Sequence, residues 1–110
     1  MKHITFADKS LLVGDDVADL LLAYAVELGN QSKADSVTVR GYGSDGDEVE
    51  ASYLLNEGSN LMAESVHTSM SDPDNADTVQ YLRKQLHTLQ NPAVAATEDF
   101  SDAEVTGFDF

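Results

Sequence analysis

A chain of 110 residues with 42% hydrophobic side chains can build one packed core and is too short for two. Twenty acids against six Lys and Arg give a formal charge of −14 and a pI near 4.1. That field repels phosphate backbones and anionic lipid, so direct binding to nucleic acid or a membrane surface is not expected. There is no cysteine, which excludes disulfides, thiolate metal sites and cysteine nucleophiles.

The opening MKHITFADKS lacks a signal peptide's apolar stretch, and no apolar run approaches ~18–20 residues, so a cytoplasmic protein is expected. His3 to Val13 reads as two short strands, Ile4–Phe6 and Leu11–Val13, joined by a turn near Asp8-Lys9. Gly14 to Asn30 then reads as the central helix. Asp15 or Asp16 is expected to cap it, Asp19 suits its positive end, and Gly29-Asn30 is its stop. Val17, Leu20, Leu21, Tyr24 and Leu28 form a 3.6-period apolar stripe, and Leu22 with Val26 forms a second, narrower line. A helix apolar on two sides is expected to lie between the sheet and something else, either the second helix or a second copy of the chain. Homodimerisation through this helix is therefore compatible with the pattern.

After a polar loop at Gln31–Asp35, Ser36–Tyr42 alternates, with Val37 and Val39 on one face and Arg40 and Tyr42 on the other. Ser44-Asp45-Gly46-Asp47 makes a turn into a second alternating run, Val49 to Leu55, and together they predict a hairpin in which Arg40 pairs with an acid such as Glu50. Leu61–Val66 is read as a further strand. Ser71-Asp72-Pro73 is expected to start the second helix, whose stripe is Ala76, Val79, Leu82, Leu86 and Leu89 and whose end is Asn91-Pro92. Acids crowd its N-terminal end, and Arg83, Lys84 and His87 lie towards its C-terminal end, as the dipole prefers.

The expected architecture is an α+β domain over residues 1–90, ordered β-β-α-β-β-β-α, with four to five antiparallel strands and two helices. Residues 91–110 form an acidic tail, expected to be flexible on its own, with five acids and no base. This tail holds Phe100, Phe108 and Phe110, three of the four phenylalanines. Acid steers such a segment to a basic surface and an aromatic ring anchors it, so Phe100, Phe108, Asp109 and Phe110 are the candidate partner-binding residues. A terminal Phe110 also offers its α-carboxylate to a backbone nest or an arginine. The segment resembles the acidic, Phe-ending tails of bacterial single-stranded DNA-binding proteins in its last few residues, without their penultimate proline.

Clustered acids at Asp45-Gly46-Asp47-Glu48 and Asp72–Asp77 invite a calcium reading, but counting an EF-hand from Asp72 puts Ala76, Asp77 and Arg83 at positions that need an oxygen ligand, Gly and Glu. His3, His67 and His87 have no metal-site spacing, and no nucleophile elbow, phosphate loop or dinucleotide fingerprint occurs. No catalytic, cofactor-binding or metal-binding residue is assigned, and no cofactor is implied. The expected function is that of a small non-enzymatic interaction or regulatory module with a protein partner. Two other readings stay open: an acidic nucleic-acid mimic that blocks a nucleic-acid-binding protein, and a small ligand binder or enzyme.

The strings HITFADKSLLVGDDVADLLLAYA, EVEASYLLNEGSNLMAES and SDPDNADTVQYLRKQL resemble small uncharacterised proteins of actinobacteria, over roughly residues 2–90. The resemblance implies the same succession of hairpin, helix, meander and terminal helix in a bacterial cytoplasmic protein. It brings no catalytic or binding residues with it.

Overall fold

The computed structural model describes residues 1–91. All but the first residue of the expected tail, and with it Phe100, Phe108, Asp109 and Phe110, lies outside the described residues. Five strands and two helices follow in the expected order: β1 (Lys2–Phe6), β2 (Lys9–Val13), α1 (Asp15–Asn30), β3 (Asp35–Tyr42), β4 (Glu48–Leu55), β5 (Leu61–Ser65) and α2 (Ala76–Gln90). The strands form one antiparallel sheet in the order β4-β3-β2-β1-β5, so the fold is α+β.

Period-2 alternation places Ile4, Leu11, Val13, Val37, Val39, Tyr53 and Leu55 on the inner face of the sheet. Against them lie Val17, Leu21, Tyr24 and Leu28 of α1 and Leu82 and Leu86 of α2. The outer face is tied by cross-strand side chains. Thr5 bonds Ser10 at 2.9 Å, Thr38 bonds Ser52 at 2.8 Å, and Arg40 stands opposite Glu50 with Nε 3.6 Å from Oε2. The Arg40–Glu50 pair is the one expected from the alternation.

The sheet is rolled, not flat. Its two halves meet in a single bridged pair, Leu12–Tyr42. Along the ladder, Phe6 and Tyr53 are separated by five residues of β3 and three of β1 in opposite directions, about 26 Å at a strand's rise. Their ring centroids nevertheless lie 5.7 Å apart, edge to face. The β3–β4 hairpin therefore folds back over the β1–β2 half, and the inner face closes on itself around the core.

Two local expectations are corrected. No side chain caps α1: the cap position is Gly14, and Asp15 and Asp16 sit inside the first turn, where they act through the dipole. The helix does stop at Asn30, as expected; Ser32 takes the positive φ of 53° just beyond it, and Lys33 N–H closes on Leu28 O at 2.9 Å. The second helix starts at Ala76, not at Asp72-Pro73. Pro73 is buried in the connector, and Asn75 is held out of the helix by β3.

That last departure follows from the rolled sheet. Where β2 ends, the backbone of β3 loses its strand partner. Asn75 replaces it, accepting from Arg40 N–H through Oδ1 at 2.8 Å and donating through Nδ2 to Arg40 O at 2.8 Å. One turn on, Thr78 Oγ1 donates to Thr38 O at 2.8 Å. Asn75→Ala removes both bonds to Arg40, so a loss of about 1–3 kcal/mol is expected at a net value of about 0.5–1.5 kcal/mol each. Urea titration measures that loss, and faster exchange of the Arg40 amide localises it. Unchanged exchange would show that the pairing protects nothing.

Ala7 opens the two-residue β1–β2 turn with φ of 58°, while Asp8 keeps a negative φ. Hairpins reserve this position for glycine because a Cβ there crowds the backbone, at about 1–2 kcal/mol. Glycine loses more chain entropy on folding, about 0.5–1 kcal/mol. Ala7→Gly should therefore stabilise by about 0.5–1 kcal/mol, the difference of these two effects. A lowered denaturation midpoint would contradict that estimate.

Candidate partner-binding surface

The two apolar sides of α1 meet different fates. Leu21, on the stripe facing the sheet, is fully buried, whereas Leu22 is 36% exposed and Val26 57% exposed. These two side chains form one wall of an open groove running to the end of the helix at Gly29 and Asn30. Leu61, where β5 begins, and the turn Asn56–Ser59 form the other wall.

The turn is a fixed wall. Asn56 N–H donates to Ser59 Oγ at 2.8 Å, Ser59 N–H donates to Asn56 O at 3.1 Å, and Gly58 N–H donates to Asn56 Oδ1 at 2.8 Å. It sits so close to the helix that a Cβ placed on Gly29 would touch the Glu57 Cα at 3.5 Å. Glu57 is the one charged residue in the lining. The groove thus has an apolar side, Leu22, Ala25, Val26 and Leu61, and a polar side, Asn30, Asn56, Glu57 and Ser59, with Glu57 its single acid. The sequence marked Leu22 and Val26 as a second apolar line. It gave no sign that Leu61 would stand opposite them, because that pairing depends on the return of β5 beside β1.

The other notable cluster is built around Asp35, at the start of β3. Tyr24 of α1 and Tyr81 of α2 both donate their phenol hydrogens to Asp35 Oδ2, at 2.6 and 2.5 Å, and Ser36 N–H donates to Oδ1 at 2.7 Å. Burial would raise the Asp35 carboxyl, but the bonds from Tyr24, Tyr81 and Ser36 N–H outweigh it, and the group titrates below its ordinary value. Burial first, then Asp35, pushes the Tyr24 phenol far above its usual value. Tyr81 is raised chiefly by its bond to Asp35. A carboxylate already taken by three donors is a poor general base. The cluster pins both helices to the sheet.

Two of the acids singled out for chemistry, Asp45 and Asp74, have local structural roles. Asp45 Oδ1 accepts Asp47 N–H at 3.1 Å inside the hairpin turn, and Asp74 Oδ1 accepts Ala76 N–H at 3.1 Å ahead of α2. Among the described residues, no group of three or more His, Asp or Glu is placed to hold a metal ion. No described helix is long and apolar enough to cross a membrane. Arg83, Lys84 and His87 are exposed on α2, and none forms an ion pair among the described residues. No protein-family model, no curated protein and no solved structure matches this chain.

Proposed function

We propose that this chain is a small, non-enzymatic, acidic interaction module that binds another protein through the α1 groove. The observation that supports this reading is the exposure of Leu22 and Val26 as a continuous apolar line facing Leu61 across an open slot. An apolar patch edged by polar residues is how soluble proteins mark contact sites. The charge of −14 selects the partner's character: an apolar anchor set among basic residues. Two copies of this chain would instead bring like fields together, which disfavours self-association. Phe108 and Phe110 supply further aromatic anchors for the same partner.

The test is capture from lysate at low and moderate salt by the full chain and by Val26→Asp. Val26 is more than half exposed, so the fold should keep its circular dichroism and denaturation midpoint. Loss of an interface anchor is worth about 2 kcal/mol, so capture should fall roughly tenfold or more. Equal capture by Val26→Asp would remove the groove as the contact surface.

A further inference from the structure

We infer that the partner enters the α1 groove as an extended strand that pairs with the free edge of β5 and alternates apolar with basic side chains. The inference rests on the groove being the interaction surface and adds the conformation and sequence pattern that it accepts.

Sheet register comes first. β5 pairs with β1 alone and ends the strand order, so one of its long edges has no strand beside it. Val66 N–H donates to Met1 O at 3.0 Å, one step beyond the Lys2–Ser65 pair. In an antiparallel ladder, hydrogen-bonded pairs alternate with unbonded ones. Glu64 and Met62 therefore turn their backbone groups towards β1, while Leu61, Ala63 and Ser65 turn theirs outward. Among the described residues, none of those three has a backbone partner on that side.

Helix α1 runs beside this edge. Lys2, opposite Ser65 at the end of β5, donates Nζ to Asp19 Oδ1 at 2.5 Å near the start of the helix. At the other end Gly29 lies against Glu57, in the turn that leads into β5. Helix and strand are therefore neighbours of opposite direction, with the exposed Leu22 and Val26 on the groove between them.

Spacing fits an extended chain. Leu22 and Val26 are about 6 Å apart along the helix axis, and alternate side chains of a strand are about 6.5–7 Å apart. A strand laid on β5 presents two successive inward side chains to these two residues. It also covers Ala63, which shares the inner face with buried Ile4 yet stays partly exposed at the sheet's edge.

Charge sets the rest of the pattern. The outward side chains of the same segment stand beside Met62 and Glu64, both exposed. A lysine or arginine there meets Glu64, and the overall charge of −14 favours it. A second copy would bring Glu64 and no base to the same edge. The other free edge, β4, has no comparable bed, since the cavities beside it are lined largely by polar groups, among them Arg40, Glu48, Glu50 and Asp77.

A short end-blocked peptide of alternating valine and lysine is the probe. At physiological salt it should slow hydrogen exchange of the Leu61, Ala63 and Ser65 amides roughly tenfold or more. Met62 and Glu64, already bonded to β1, should not change. Methylating the peptide's backbone nitrogens at the valines, or at the lysines, removes the donors along one of its edges at a time. One methylated form should lose roughly tenfold in affinity while the other keeps the parent's. Ala63→Pro should abolish binding yet keep the denaturation midpoint, because its ring replaces an amide that faces away from β1. Equal affinities for the two methylated forms, kept or lost, would overturn the inference, and so would unchanged exchange at the three amides. Slow exchange already present without peptide and rising with protein concentration would assign the edge to a second copy and also overturn it. The groove itself is judged separately: if Val26→Asp loses partner capture and Ala63→Pro keeps it, the groove stands and the added strand does not.

Discussion

Replacing Gly41 by alanine should cost about 2–3 kcal/mol, although a glycine inside a strand is ordinarily a weakness that alanine repairs. A Cβ at this position would stand 2.6 Å from Leu11 Cγ, 2.7 Å from the backbone oxygen of Leu12 and 2.8 Å from Val13 Cγ1. Leu11 and Val13 are themselves packed core residues, and the Leu12 oxygen is main chain, so nothing can rotate aside. Room must come from moving β2 away from β3. Those strands share only the Leu12–Tyr42 pair, next to Gly41, so the displacement falls on the one joint between the two halves of the sheet. A domain of this size has about 5–15 kcal/mol in all, and each kilocalorie is worth about 4–8 °C of melting temperature, so a fall of roughly 10–20 °C is expected. Gly43→Ala is the control, two residues along the same hairpin. Its new Cβ would meet Asp45 Oδ1 at 3.4 Å, Asp47 O at 3.8 Å and Val49 Cγ1 at 4.0 Å, all ordinary contacts, and it should stay within about 0.5 kcal/mol of the parent. If urea titration ranks the two variants as equals, β2 and β3 are not as close as the structure places them.

The same joint shows why some features were legible in the sequence and others were not. Each helix, and the β3–β4 hairpin, announced itself through its own periodicity. Val17, Leu21, Tyr24 and Leu28 are buried as their spacing required, and Val37 and Val39 point inward while Arg40 meets Glu50 outside. Curvature has no such local signature. It depends on a glycine whose importance lies in three atoms of another strand. Val49 shows the consequence: alternation placed it with Ala51, Tyr53 and Leu55, yet it is 41% exposed, opposite Gly41. Ala76 was read into the buried stripe of α2, but it is exposed in the helix's opening turn. The late start of α2 was equally hidden, because Asn75 answers to the unpaired backbone of Arg40, 35 residues earlier. One signal could have been read further. Tyr24 lies on the core-facing stripe, and a buried phenol needs an acceptor, so a carboxylate from another element was implied even though Asp35 could not be named. The groove was half legible for the same reason: its α1 wall is periodic, while its Leu61 wall is a matter of topology.

Asp35 carries the second large effect, and this one depends on pH. Asp35→Ala leaves the phenol of buried Tyr24 and that of Tyr81 without their acceptor and should cost about 3 kcal/mol near neutrality. Asp35→Asn keeps the shape but cannot satisfy all three donors. If its carbonyl oxygen faces the two phenols, its NH₂ faces Ser36 N–H, and the reverse orientation strands the phenols. A cost of about 1–2 kcal/mol is expected for the bond lost. The Asp35 carboxyl is held below its unfolded value of about 3.9, so its contribution is complete above that value and disappears as pH falls through the folded one. The overall charge of −14 acts in the other direction, since protonating carboxylates towards the pI of 4.1 relieves repulsion and stabilises the compact chain. The parent's stability alone mixes the two. The difference between parent and Asp35→Asn isolates the first, because the substitution alters the total charge by only one. That difference should be largest near neutral pH and shrink towards zero as pH falls through the lowered folded value of Asp35, where the parent carboxyl is also protonated. A difference that stayed constant from neutral pH down into acid would mean that Asp35 holds Tyr24 and Tyr81 by shape, with no advantage from its charge.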